Sequence, residues 1–202
     1  APILDDLSNV QYFYDRGIRY ITLTHAKDNL ICDSSYDTTG TWSGLSPFGR
    51  KVVKEMNRVG IMVDISHVTD DVINQVLDMT DVPVIASHSS CRHFTPGWKR
   101  NMGDEEIKRL KENGGVIQIN YGSSFITQAS LEKGEENRER IMAYAKENNL
   151  KSGDEVLTAF AKKINAKNPV YADISDVVDH FDRVVALAGI DHVGIGSDYD
   201  GV

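Results

Sequence analysis

With 202 residues, 41% of them hydrophobic, the chain can bury one sizeable core and reads as one domain or part of a larger one. A formal net charge of -8 and the lack of a clustered Lys/Arg groove argue against nucleic acid as a partner. No run approaches the ~18 apolar residues of a membrane span, the first residues lack the layout of a signal peptide, and two cysteines, Cys32 and Cys91, are too few for a disulfide framework at this length.

In chain order, Asp5 or Asp6 is placed to cap a helix carrying Leu7, Val10 and Tyr14, which Gly17 closes. The β-branched and aromatic run IRYITLTHA then predicts a strand ending near His25. A polar, turn-rich loop spans 28–41. Ser46-Pro47 opens a helix with Phe48, Val52, Met56 and Val59 on one stripe until Gly60, and 61–66 is the next strand, closing on His67. Thr69 caps a helix with Asp70 and Asp71 in its first turn, where the macrodipole favours negative charge.

Pro83 opens a strand that ends at His88, and a long loop over 91–102 carries Arg92, Lys99 and Arg100. A helix from Asp104 to Gly114 and a strand over 115–121 follow. The charged stretch 128–168 fits surface helices around 137–147 and 154–164, inserted at the same face. Residues 173–189 carry Ile174, Val177, Val178, Phe181, Val184, Val185 and Ala188 at helical spacing and feed a last strand, 192–197, ending on Asp198. Strand and helix alternate five times, which predicts a parallel α/β sheet with right-handed crossovers. Either an open sheet or part of a (β/α)8 barrel satisfies that order. Polar residues at the carboxyl ends of the strands favour an incomplete barrel of about five strands. The glycines of GIGSDYDG have no helix directly after them, so a dinucleotide loop is not indicated.

Position sorts the six histidines. His25, His67 and His88 each end a strand on one face, the face where barrels bind ligands, whereas His93, His180 and His192 fall in a loop, a helix and at the opposite strand end. A packed core role is open to any one strand-end histidine; three of them with Asp198 on a fourth strand point to a site. Neutral imidazoles suit zinc, and a metal-bound water is acidified. Asp198 could take that water's proton, or it and Asp200 could be turn formers before Gly201. His25 could donate to an oxyanion. Arg100 could grip a carboxylate, with Arg92 and Lys99 as competitors. Catalytic zinc usually has three protein ligands; no third is evident, and Asp64 lies on its strand facing either the barrel interior or the helices.

The segments RYITLTHA with Asp28-Asn29, GLSPFGRKVVKEMNRVGIMVDISHV, PVIASHSS, Lys99-Arg100-Asn101 and GIGSDYDGV, in this order and spacing, resemble the renal (membrane) dipeptidase family of metallopeptidases. The likeness runs from the first helix nearly to the last residue and is weakest over 128–168. It implies a (β/α)8 barrel with two zinc ions that hydrolyses dipeptides and related amide bonds. Under it, His67 and His88 match two histidines that bind one zinc, and His25 matches a histidine that contacts substrate and steadies the tetrahedral intermediate. Arg100 matches the arginine that holds the substrate carboxylate, and Asp198 the aspartate that handles the proton of the attacking water.

The family's His-x-Asp pair and metal-bridging glutamate have no counterpart in the chain. The expectation is therefore a barrel lacking its N-terminal strands and a C-terminal part, with weak metal binding and no turnover in isolation. The expected partner is a dipeptide, with no nucleic acid and no membrane-spanning segment; a homodimer is open, as is the compartment. The alternatives are another metal-dependent amidohydrolase of the same barrel type and a non-catalytic scaffold.

Overall fold

The structure, a computed structural model, describes residues 3–199. Five strands, β1 (Tyr20–Thr22), β2 (Met62–Asp64), β3 (Ile85–Ser89), β4 (Val116–Ile119) and β5 (Val193–Ile195), pair in parallel and lie side by side in sequence order. A doubly wound open sheet reverses its strand order at a switch point; here the order never reverses, which is the winding of a barrel. The fold is α/β, an arc of five successive barrel units. Among the described residues β1 and β5 are each paired on one side only.

The helices follow their local signals. Helix α1 (Ser8–Asp15) starts where Asp6 Oδ1 accepts the Ser8 N–H at 2.9 Å, although Leu7 occupies the capping position itself. Helix α2 (Pro47–Val59) has Ser46 as its cap, with Oγ accepting from Gly49 N at 2.8 Å, and ends on Gly60 at φ +92, a left-handed backbone that suits glycine. Thr69 caps α3 (Asp70–Leu77), and Gly114 at φ +78 closes α4 (Asp104–Asn113). The core lies between these helices and the sheet: Val52, Val53 and Met56 of α2, Val72 and Val76 of α3 and Ile107 and Leu110 of α4 are sealed against Val63, Ala86 and Ile117.

Three expectations require adjustment. The strands are shorter than their apolar runs; between β2 and β3 the residues after the ladder turn their backbone donors to side chains of the rim. In the charged region a short helix, α5 (Ser123–Ile126), precedes α6 (Gln128–Glu147), which begins well before 137 because Thr127 Oγ1 accepts the Ser130 N–H at 3.1 Å. Helix α7 (Glu155–Lys167) is tied to α6 by the stacked rings of Tyr144 and Phe160, 3.8 Å apart, and by paired Asn137 and Asn168 amides. Helix α8 (Ile174–Leu187), opened by an Asp173/Asp176 capping box, buries only His180 and Val184 fully. Ile174 on its apolar stripe is 82% exposed among the described residues. The strand expected over 192–197 is limited to Val193–Ile195, His192 lying in a 3-10 turn; Asp200 and Gly201 lie outside the described residues. No helix of the described residues is long and apolar enough to cross a membrane.

Candidate metal centre at the carboxyl rim

Beyond Ile85 the β2–β3 ladder stops, and side chains take over the backbone donors. Ser87 N donates to Asp64 Oδ1 at 3.0 Å, and His88 N donates to Ser66 Oγ at 3.1 Å. On the other side of β3 the register with β4 slips between Ala86 and Ser89, an extra residue of the kind that re-aims side chains near sites. In the turn after β2, His67 adopts φ +70, a conformation that costs a non-glycine residue of order 1–3 kcal/mol and clusters at functional sites. Its carbonyl is held by Ser35 N at 2.8 Å.

The result is a convergence. His67 Nε2 and His88 Nε2 lie 2.7 Å apart, and the His25 ring stands 4.3 Å from that of His67, centroid to centroid. His25 is exposed at the end of a short loop whose carbonyl accepts from Ser34 Oγ at 2.5 Å. A cleft of about 550 Å³ is lined by all three histidines together with Asp198, Tyr36, Phe125, Lys27 and Arg138. Asp198, itself at φ +55, has Oδ2 held by Asn120 Nδ2 at 3.0 Å.

Burial, first of all, favours the neutral form of His67 and His88. Burial, then the nearby Arg100 charge and the other two rings, push His67 down to about 2. His88 is also lowered, by burial and Arg100, with Asp64 and Asp198 opposing. A neutral imidazole with its lone pair free is the form that binds a metal. His67 Nδ1 is buried with no partner among the described residues.

Two facing neutral nitrogens beside a carboxylate fit a divalent cation of the zinc type as part of a ligand set. Among the described residues no group of three His, Cys, Asp or Glu gathers at one point. Among the described residues the rim thus brings two ring nitrogens, those of His67 and His88, face to face.

Arg100 is placed below the cleft and not on its lining. It is 3% exposed, with Nη1 on Ser89 Oγ at 2.9 Å, Nη2 on the His88 carbonyl at 2.7 Å and the guanidinium 5.0 Å from the Phe125 ring. Its Nε has no partner among the described residues. Its sequence competitors are elsewhere: Arg92 forms a two-pronged pair with Asp70, at 2.5 and 2.8 Å, and Lys99 is exposed. The remaining histidines are structural or peripheral. Buried His180 accepts from Cys91 N at 3.0 Å and donates to Ile126 O at 2.9 Å, His192 donates to Gly115 O at 2.8 Å, and His93 is exposed.

The cleft also holds residues that sequence reasoning passes over. Tyr36 reaches it from the 28–41 loop and Arg138 from α6, neither in a periodic pattern that would single it out. The 28–41 loop was expected on this face; what fixes it is a set of carboxylate turns, with half-buried Asp28 accepting from Ser34 N and Thr41 N and buried Asp33 from Trp42 N and Gly44 N.

Comparison with known proteins places this arrangement. The family model described as membrane dipeptidase (peptidase family M19) matches residues 1–202. The chain belongs to the membrane dipeptidase family. It is 35% identical over 198 residues to an uncharacterized dipeptidase of Schizosaccharomyces pombe, covering 97% of this chain and 38% of that protein. It is also 35% identical over 195 residues to the dipeptidase tcpJ of Claviceps purpurea, covering 96% of this chain and 36% of that protein.

Among solved structures, the probable dipeptidase PvdM of Pseudomonas aeruginosa superposes with a TM-score of 0.78 at 28% identity, over 98% of this chain and 55% of that one. A metallo peptidase of Rhodobacter sphaeroides, liganded with a phosphinate mimic of the dipeptide L-Ala-D-Ala, shares the fold at a TM-score of 0.72 and 24% identity, over 98% of this chain and 47% of that one. The chain thus spans little more than a third of the length of these curated relatives and about half of these structures. Membership of this metallopeptidase family implies a metal cofactor.

Proposed function

We propose that the protein to which this chain belongs is a zinc-dependent dipeptidase, and that His67 and His88 supply two ligands to one of two zinc ions. The observation that carries the reading is the 2.7 Å approach of the two Nε2 atoms at the rim of a cleft that Asp198 also lines. Bound zinc would supply Lewis acidity, lowering the pKa of a coordinated water and polarising a carbonyl.

The chain's own residues do the rest. Asp198, oriented by Asn120, accepts the proton of the attacking water and passes it to the leaving amine. His25, exposed on the cleft wall, donates a hydrogen bond to the oxygen that becomes negative as the peptide carbon turns tetrahedral. Arg100, beneath the lining of the cleft, is read as the residue that holds the substrate carboxylate on the strength of the family resemblance; two of its N–H groups are engaged by Ser89 and the His88 carbonyl. The phosphinate mimic of a dipeptide bound in the Rhodobacter structure supports a substrate of this size for the fold.

The charged helices over 128–168 are read as an insertion that closes one side of the cleft, with Arg138 at its edge. A partial barrel with two imidazole ligands falls short of the three usual at catalytic zinc, so the isolated 202 residues are expected to bind metal weakly and to show no turnover.

The test is metal analysis and a dipeptide panel on the full-length protein, comparing L and D residues at the second position and including cyclic amides and esters. About two zinc per chain and hydrolysis of dipeptides are expected. Absence of zinc after purification in zinc-replete medium contradicts the reading, and turnover of cyclic amides or esters alone assigns the barrel to a different hydrolase. Full activity from the isolated chain contradicts the two-ligand argument.

A further inference from the structure

Asp64 is fully buried at the end of β2, and the candidate ligand set does not use it. Its carboxylate is saturated. Oδ1 accepts two backbone N–H groups, from Ser66 and Ser87, each at 3.0 Å. Oδ2 accepts two hydroxyls, from Thr22 and Ser87, each at 2.6 Å. The Ser87 hydroxyl also lies 2.7 Å from His88 Nδ1.

A hydroxyl has one hydrogen. Two oxygens 2.6 Å apart need a proton between them, and the carboxylate has none to give, so the Ser87 hydrogen points at Asp64. Ser87 Oγ then meets His88 with a lone pair, and the 2.7 Å contact requires the proton to be on Nδ1. His88 Nε2 is left as an acceptor aimed at the cleft. The same assignment accounts for the 2.7 Å contact between the rings: both are neutral, and His67 Nε2–H donates to His88 Nε2.

We propose that Asp64 and Ser87 are positioning residues that lock His88 in its Nδ1–H tautomer through an Asp64–Ser87–His88 chain, presenting the Nε2 lone pair for a metal ion before any metal arrives. The inference rests on the reading of His88 as a ligand. Metal-binding histidines generally donate their second nitrogen to a carboxylate, carbonyl or water, which fixes the tautomer and raises ligand basicity. Here the link runs through a serine, because Asp64 sits in the ladder opposite Ile85, three residues before His88, and Ser87 stands between them. The two histidines are thereby unequal: the Nδ1 of His88 is engaged by Ser87, whereas the Nδ1 of His67 has no hydrogen-bond partner among the described residues.

The experiment uses the full-length protein as wild type, Ser87→Ala, Ser87→Thr and Asp64→Asn. Long-range proton–nitrogen correlation on metal-free, nitrogen-15-histidine-labelled protein reads which ring nitrogen of His88 holds the proton, and chelator competition reads zinc affinity. Wild type is expected to show His88 as Nδ1–H. Ser87→Ala should yield a mixed or Nε2–H ring and lose about 10–100-fold in zinc affinity, while Ser87→Thr, which keeps the hydroxyl, restores both. Asp64→Asn should shift the tautomer in the same direction; should it fail to fold, the serine pair decides alone.

An Nε2–H His88 in wild type overturns the proposal. So does Ser87→Ala with an unchanged ring and zinc affinity within twofold of wild type; in that case zinc binding by wild type leaves the dipeptidase reading intact. A wild type that binds no zinc overturns both.

Discussion

The β2–β3 rim and the α6–α7 excursion are built on opposite principles. At the rim, Asp64 collects four donors, Ser66 and Ser89 exchange a hydroxyl contact, and Arg100 is nearly sealed, so Asp64, Ser66, Ser89 and Arg100 are each held by more than one neighbour. In the excursion, α6 buries only Ser130, Leu131 and Asn137 along 20 residues, and α7 only Ile164 along 13. Its ion pair among the described residues, Arg140–Glu136 at 3.5 Å, is exposed. The difference teaches where position is held tightly: the two ring nitrogens meet among densely bonded neighbours, whereas the excursion touches the cleft only through Arg138 among the described residues.

The comparison is broken most severely at Asp64. Asp64→Ala leaves two buried N–H groups and two hydroxyls without their acceptor, and an expected loss of about 3–5 kcal/mol in urea unfolding follows from orphaning them. A loss below ~1 kcal/mol means that the rim rearranges freely, and the contrast with the excursion fails.

Acid sharpens it next. Burial lowers His180, and more strongly His67, below the ordinary histidine value. An unfolded chain takes up a proton at each near pH 6.5; the folded chain does not. The stability held by the neutral rings is therefore complete above about pH 6.5 and is lost as the pH falls below it, with a slope of up to about 1.4 kcal/mol per pH unit for each ring. Unfolding free energies at pH 8, 6.5 and 5.5 check the sign, and His180→Gln, which does not titrate, should be visibly flatter than wild type. A slope that is unchanged in His180→Gln removes that ring from the account. Glu136→Ala on α6 should shift stability by no more than ~0.5 kcal/mol, as exposed pairs do; a larger loss would make the excursion a structural element in its own right.

Much of this architecture was legible because its signals are local. Ser46-Pro47, Thr69, Gly60 and Gly114 mark helix ends through backbone chemistry confined to one turn, and they sit where that chemistry places them. The three rim histidines could be grouped because parallel strands put their carboxyl ends on one face. What escaped is non-local. The direction of the Asp64 side chain depends on a register with Thr22 and Ile85 that no single segment encodes. Arg138 and Tyr36 enter the cleft from a helix and a loop without diagnostic spacing, and Arg100 proved deeper than a loop position suggests because Ser89 and the His88 carbonyl draw it inward. The stripe on α8 was readable as helix, yet Ile174 shows that periodicity does not say how much of a stripe is covered.

The most direct measurement is an anomalous-scattering map at the zinc edge from crystals of the full-length protein. The account predicts a peak bonded to both His67 Nε2 and His88 Nε2 in the cleft that Asp198 lines. A map with no peak there, or with zinc bound only at other side chains, contradicts it.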